Sequence, residues 1–301
     1  MQRIVLATVG LLALSKSPAF AQQATGTTLW RVAATTLATP PALSVGPAAA
    51  LWNPAQTEDS ARVQLAVEAI QTPAAVDATG LIAAVRARAG RIGQVGFLYG
   101  RVGLSDVTQT VDSPDPTGAS IPIYTFALGT TWSRMFGGTS VGAMLAYQET
   151  RLDLSRATRW TMDVGASRWF GDDRLRVAAA THFFSSLSTN DPSQDVYAGV
   201  EARLWRSAGT TNNTVIRGRY GIAFGHGFAA DHQFGLGVEL SKAFAFDAMV
   251  VREGGYGNGA EWRPVAGMRL AIGKYRITLT RDGGVNDLGS AYRVGVDVRF
   301  R

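Results

Sequence analysis

Three histidines carry the side chains best suited to catalysis or metal binding in this cysteine-free chain of 301 residues. His182 is followed by Phe183, Phe184, Ser185 and Ser186, and then by Asp191 and Asp195, the residue types of a Ser–His–acid hydrolase. Such a site needs its nucleophile within hydrogen-bond reach of the base, and an acid that orients the ring. Ser186 shares the face of His182 in an extended chain, but no spacing brings either to a carboxylate. No catalytic residue is assigned, and the chain is read as a non-enzyme. His226 and His232 flank 227–231, and with Asp231 they supply ligand types that suit zinc. Two imidazoles and one carboxylate on a polar loop are read as solvated, so no metal is assigned. The stretch 112–116 (Asp-Ser-Pro-Asp-Pro) holds two carboxylates between prolines and is read as a turn, not a calcium loop. The glycine-rich stretch 254–259 precedes Glu261-Trp262, the start of a strand, so it lacks the helix that a phosphate cradle requires.

The remaining ionisable side chains follow a pattern of their own. In 292–300, Tyr292, Val294, Val296, Val298 and Phe300 alternate with Arg293, Gly295, Asp297 and Arg299. A period of two over nine residues is a strand between two opposite environments. The same alternation sets Glu201 and Arg203 opposite Val200, Ala202 and Leu204, and Arg217 and Arg219 opposite Ile216 and Tyr220. It sets Arg86 and Arg88 opposite Val85 and Ala87, Glu239 opposite Val238, and Arg276 opposite Ile277. Glu68, Asp163, Arg174, Arg176, Asp247 and Arg269 take the polar face of their own segments. These charges are expected to point into the lumen of a barrel, where near-balanced charges pair into a plug or line a narrow aqueous path.

The elements that must carry them are short and numerous. Alternating segments separated by Gly, Asp, Asn, Ser and Pro span 60–70, 79–89, 91–104, 121–134, 139–152, 157–170, 173–185, 194–206, 213–225, 231–242, 244–253, 261–272, 274–282 and 290–300. This predicts an all-β fold, a transmembrane antiparallel barrel of about 14 strands. The segments are about ten residues long, which suits tilted strands in a bilayer better than the shorter strands of a sandwich. Trp132, Trp160, Trp169, Trp205, Trp262, Tyr292 and Phe300 lie near segment ends, where interfacial girdles are expected. Connections alternate on the whole between tight turns and longer loops, with 207–212 long for a turn and 153–156 short for a loop, which puts both chain ends on the short-turn side, the periplasm.

The beginning of the chain indicates export. Arg3 precedes an apolar run over 4–14, and Ala19-Phe20-Ala21 supplies the small-x-small pattern of a cleaved signal peptide over 1–21. No later segment is apolar enough for a spanning helix, so the expected destination is the bacterial outer membrane. The charge of +6 comes from 26 Arg against 3 Lys, scattered singly. With Arg3 and Lys16 removed it falls to about +4, and it is not read as a nucleic-acid patch.

Residues 22–59 do not alternate, and they end in Ala50-Leu51-Trp52-Asn53-Pro54-Ala55. This string, just ahead of the first strand, resembles the N-terminal Asn-Pro-Ala motif of FadL-type outer-membrane proteins, closest to the PorV/PorQ-like branch. The resemblance implies fourteen strands over 60–301, with 22–59 folded into the lumen as a hatch and Asn53, Pro54 and Ala55 where the hatch meets the wall. Two departures stand out. The approach to the motif, 40–47, is rich in Pro rather than Gly, and a charged lumen does not suit fatty acids. Expected partners are outer-membrane lipid, the barrel-assembly machinery through the C-terminal strand, and a small-molecule ligand or secretion partner, with no cofactor. Three roles stand open: a transport-type barrel or secretion-apparatus component, a diffusion pore or structural barrel without a ligand, and a lipid-acting barrel hydrolase.

Overall fold

The computed structural model describes residues 25–55, 61–73, 76–104, 107, 120–183, 194–207, 214–225, 229–241, 243–254, 261–284 and 289–300. The proposed signal peptide, Ser186, Asp191, His226, the 112–116 turn and the 255–259 part of the glycine-rich loop lie outside them. Fourteen strands form: β1 (Val63–Gln71), β2 (Ala78–Arg88), β3 (Gln94–Leu104), β4 (Ile123–Phe136), β5 (Thr139–Leu152), β6 (Ser155–Phe170) and β7 (Leu175–Phe183). They continue as β8 (Gln194–Arg206), β9 (Val215–Gly225), β10 (Asp231–Glu239), β11 (Phe244–Glu253), β12 (Glu261–Ile272), β13 (Tyr275–Asp282) and β14 (Ala291–Phe300). Each pairs antiparallel with its neighbours in sequence. The barrel closes where β1 meets β14, in register from Val63↔Phe300 to Gln71↔Tyr292. Closure leaves no unpaired edge, the condition for a sheet to stand in hydrocarbon.

Alternation along each strand separates two faces. Phe97, Leu128, Leu145, Val250, Leu270 and Val294 point outward and are exposed. Aromatic rings edge this apolar band at both rims. Near the rim of the longer loops, Tyr147 lies 5.6 Å from Trp160 and 6.0 Å from Phe126. Near the rim of both chain ends, hereafter the terminal rim, Trp132 lies 6.3 Å from Phe136. The β4–β5 connection at that rim is the pair Gly137 and Gly138, both with positive φ, as a two-residue hairpin turn of primed type requires. Among the described residues no helix is long and apolar enough to cross a membrane, a statement that leaves strands aside.

The segment inside the barrel contains a helix, which the sequence analysis does not anticipate. Residues 25–35 form helix α1 (Thr25–Thr35), followed by 3₁₀ turns at Pro41–Leu43 and Ala48–Leu51. Leu29, Trp30 and Ala33 recur at helical spacing and are buried together with Leu51 and Trp52 against Ile70, Ile82, Leu98, Val102 and Met144 of the wall. Among the described residues this is the largest apolar core, and it exists because a lumen-facing segment covers the apolar residues of β1–β5.

Three expectations need correction. Arg88 falls on the inward side of β2 but is exposed at the terminal rim, because the strand ends there. Arg174 lies in the 171–174 turn and is exposed, outside any strand. Trp169 belongs to no girdle: it has the inward parity of Asp163 and Ser167 and lies under the guanidinium groups of Arg176 and Arg217.

Candidate functional site

The site is the lumen and the segment that occupies it. The last turn of α1 leaves carbonyl oxygens without helical partners, and a helix C-terminus carries partial negative charge. Each of the last four is met. Thr35 Oγ1 donates to Val32 O at 2.8 Å, Thr36 Oγ1 to Ala33 O at 2.8 Å, and Leu37 N to Ala34 O at 3.1 Å. Arg263 Nη1, from the wall, donates to Thr35 O at 3.1 Å. Arg293 Nη1 adds a bond to Ala33 O at 3.3 Å. Both arginines also hold wall carboxylates: Arg263 pairs with Asp282 at 2.8 Å and Glu253 at 2.7 Å, and Arg293 with Glu68 at 2.6 Å. Charge is therefore compensated within the wall while the same forks reach the helix end.

Further along, Arg176 Nη1 donates to Leu43 O at 3.1 Å. His182 stands 2.8 Å from Trp52 O through Nε2 and 3.0 Å from Asp163 Oδ2 through Nδ1. A carbonyl and a carboxylate both accept, and a ring carrying N–H on both nitrogens would satisfy the two together. His182 thus has the orienting acid that a hydrolase would need, but its other nitrogen is engaged by backbone instead of a nucleophile. Asp195, the other acid near it in sequence, pairs with Arg31 of the segment at 2.6 Å.

The Leu51–Ala55 motif is wedged between segment and wall. Asn53 is fully buried, and its Nδ2 donates to Ala42 O at 2.7 Å while its Oδ1 accepts from Ala55 N at 2.9 Å. Ser140 of β5 donates to Ala55 O. Pro54 and Asn53 lie against Gly142 and Gly165, which face each other across β5 and β6. A Cβ at Gly165 would overlap Asn53 Oδ1, and one at Gly142 would stand 2.6 Å from Ala55 N. The same accommodation recurs: a Cβ at Gly100 would meet Trp30 at 2.7 Å, at Gly199 Leu43 at 2.8 Å, and at Gly267 Ala38 at 2.6 Å. At these five inward glycines the segment comes close to the wall backbone (close backbone approach being one use of the residue).

Of the cavities that remain, two larger ones lie on opposite sides of the segment, and a smaller one of about 90 Å³ lies between the segment and the wall at Glu68, Arg293 and Asp297. A cavity of about 290 Å³ near the loop rim is lined by apolar Val32, Ala34, Pro41, Ala223 and Val251, with Tyr197 at its wall. Its charged groups include Arg31, paired with Asp195, and Arg263, paired with Glu253. Asp231 accepts from Gly254 N at 2.9 Å. Gln233, also lining it, has a buried Oε1 with no hydrogen-bond donor among the described residues. A cavity of about 350 Å³ on the terminal-rim side is lined by Arg86, Arg176, Glu201, Arg217, Arg219, Glu239, Arg269, Arg276 and Arg299. Here the structure gathers most of the charges expected to face the lumen. Asp297 joins from the side, 3.9 Å from Arg276, and Arg203 is half-buried beside the chain irregularity between Arg203 and Trp205.

His232 faces outward, with Nδ1 2.8 Å from Tyr220 Oη. Among the described residues no group of three or more His, Cys, Asp or Glu is arranged to hold a metal. Sequence reasoning missed a cluster of charges on the outer face near the loop rim. Glu149, outward and buried, accepts from Tyr124 Oη at 2.8 Å and from Arg156, while Arg101 lies 4.5 Å above the Tyr124 ring. Their parity, shared with the apolar Leu145 and Tyr147, was the readable signal.

The geometry defines a closed fourteen-stranded antiparallel barrel with an N-terminal segment packed in its lumen. Solved structures with that fold include the toluene transporter TodX of Pseudomonas putida, with TM-score 0.53, 10% identity, and coverage of 88% of this chain and 95% of that one. The toluene transporter TbuX of Ralstonia pickettii aligns with TM-score 0.51 and 12% identity, over 85% of this chain and 94% of that one. Identities this low speak to the fold alone. No family model matches the chain, and no curated protein matches it. The structural neighbours include toluene transporters of the FadL type, and nothing among them singles out the PorV/PorQ-like branch.

Proposed function

We propose that the chain is a transport-type barrel of the outer membrane, its terminal rim facing the periplasm, with residues 25–55 acting as a hatch. The observation that carries this reading is the fit between segment and wall: wall arginines and His182 donate to the segment's carbonyls, and inward glycines make room for Trp30, Leu43, Asn53 and Pro54. An unstructured linker would need none of these. The outward apolar band with its two aromatic edges suits hydrocarbon between polar interfaces.

The loop-side cavity is the entry site of this reading. Its volume sits at the low end of small-molecule pockets, which run from about 300 to 1,000 Å³. That fits a compound of one ring better than a long acyl chain. Its lining combines apolar Val32, Ala34, Pro41, Ala223 and Val251 with charges that are paired to one another, and Gln233 Oε1 offers one acceptor to a ligand that can donate. The known role of TodX and TbuX as toluene transporters agrees with a small apolar ligand.

Conductance in planar bilayers tests the hatch. The full chain should be nearly closed, and a chain lacking 22–59 should conduct in large steps; equal conductance removes the hatch. Calorimetric titration of the folded full chain with toluene tests the ligand. Saturable heat that Val251→Arg abolishes supports the reading, and no heat in the wild type ends it.

A further inference from the structure

On the outer face near the loop rim, three arginines gather on β3 to β6 just beyond the apolar band. Along β5 the outward side chains read Leu145, Tyr147, Glu149 and Arg151 toward that rim: an apolar residue, an aromatic one, then charges. Arg151 stands opposite Tyr124 of β4 on one side and Arg156 of β6 on the other. Arg101 of β3, exposed and on the outward side with Phe97, lies 4.5 Å above the Tyr124 ring. Apolar, aromatic, then cationic is the order of a membrane interface, with the charge at headgroup depth.

The outward face of these four strands holds one carboxylate, and both of its oxygens are taken. Glu149 Oε1 accepts from Tyr124 Oη at 2.8 Å, and Oε2 accepts from Arg156 Nε at 2.8 Å. Among the described residues no carboxylate stands within 4 Å of Arg101 or Arg151. Arg101 has the Tyr124 ring, and Arg151 donates to a backbone oxygen, Asp153 O, at 3.1 Å. Arg151 and Arg156 also face each other directly across β5 and β6, and like charges so placed repel. A counter-anion between the arginines would relieve that repulsion. Guanidinium forks match phosphate oxygens, which accept two parallel N–H bonds from one residue.

We propose that this patch binds a lipid whose headgroup carries more than one phosphate, in the leaflet on the loop-rim side. Arg101 and Arg151 are its main contacts, and Arg156, steadied by Glu149, is a third. Four adjacent strands spread the arginines over about 14 Å at the usual strand spacing, wider than a single phosphate. Acyl chains below such a headgroup would lie along Leu128, Leu145 and Met162, which are exposed on the same face. The inference rests on the outward band meeting hydrocarbon, and not on the transport role or the hatch.

The test is native mass spectrometry of the folded full chain in nonionic micelles, titrated with a diglucosamine lipid carrying two phosphates and with the same lipid stripped of them. The expected result is saturable binding of the phosphorylated lipid, about tenfold or more tighter than of the stripped one. Arg101→Gln and Arg151→Gln should each weaken it about tenfold, by removing one charge-assisted fork. Arg134→Gln removes an exposed arginine at the terminal rim, 5.0 Å above the Phe136 ring, and should leave binding unchanged. Heat-modifiable gel mobility checks that each variant is folded. Equal binding of the stripped lipid, an equal loss in Arg134→Gln, or displacement of the lipid by inorganic phosphate at equal concentration would overturn the proposal. A folded barrel that needs detergent but shows no preference ends the lipid site alone. A chain that stays soluble without detergent and binds neither lipid ends the membrane reading with it.

Discussion

Gly142 and Gly165 are the most incisive place to perturb the seat of the segment. They face each other across β5 and β6 and both touch the Asn53-Pro54-Ala55 turn. A methyl at Gly142 would stand 2.6 Å from Ala55 N, where ordinary contact begins near 3.4 Å, and the obstructing atoms are backbone. They cannot rotate aside as a side-chain tip would. Added methylenes in a packed site cost about 1 to 3 kcal/mol. The penalty falls on the seated state alone, since an unseated segment leaves the glycines facing open lumen. At 1.4 kcal/mol per decade, Gly142→Ala should raise the unseated fraction about 5- to 150-fold. The double variant with Gly165→Ala should fall short of the product of the singles, because both push on one turn and share its relief. Single-channel recording reads this as open probability, with heat-modifiable gel mobility checking that the barrel folds. Gly235→Ala is the control: its Cβ would lie 3.4 Å from Arg219 Cβ, on the wall and away from the segment. If Gly142→Ala stays as closed as Gly235→Ala, the glycine seat does not hold the segment and the reasoning fails.

Other outcomes follow from the same contacts. His182→Leu removes the imidazole that Asp163, 1% exposed, faces at 3.0 Å; up to about 3 to 5 kcal/mol should be lost, and urea unfolding of the Asp163→Leu/His182→Leu pair should recover most of it. Arg293→Met removes bonds to Glu68 and to the Ala33 carbonyl, and charge-assisted bonds of about 1.5 to 3 kcal/mol predict faster proteolysis within α1 than in the wild type. Leu128→Arg places a cation on the outward face midway along β4. If that face meets hydrocarbon, folding into vesicles should be weakened by about 2 to 4 kcal/mol, and an unchanged midpoint would mean that Leu128 does not lie in the bilayer core.

The strands were legible because one rule, alternation, acts residue by residue. Val294, Val296 and Val298 against Arg293, Gly295 and Asp297 state both faces of β14 without help from any other part of the chain. The same rule also assigns Trp169 inward, from Asp163, Gly165 and Ser167, and it was overruled by an expectation about where tryptophans belong. Arg88 fails for a different reason: parity says which way a side chain points, but not whether the wall extends far enough to enclose it. The segment was the least legible part. Leu29, Trp30 and Ala33 do show helical spacing, yet only over about one turn of an 11-residue helix and among threonines that propensity disfavours. That Gly100 receives Trp30, or Gly199 receives Leu43, depends on contacts between residues far apart in sequence, and no local pattern encodes them.

The composition of the lumen has a physical reason that connects these points. Twenty-six arginines against three lysines is a strong bias for a chain of this size. A lysine is a point donor, whereas a guanidinium presents five N–H groups in a rigid fork and serves several acceptors at once. Arg293 binds Glu68 and still reaches Ala33 O; Arg263 holds Glu253 and Asp282 and still reaches Thr35 O; Arg176 binds Ser167 at 3.0 Å and still reaches Leu43 O. In each case the partner on the wall is separate from the partner on the segment. Lifting the segment away would break the carbonyl bonds and leave the wall contacts of these arginines in place. Asp195, which pairs with Arg31 of the segment, would lose its partner, but the wall contacts of these three arginines persist whether the segment is seated or not, the arrangement a removable closure needs. A plug held through lysines would need its wall and segment acceptors to converge on a single nitrogen, whereas the two ends of a guanidinium serve acceptors that stand apart.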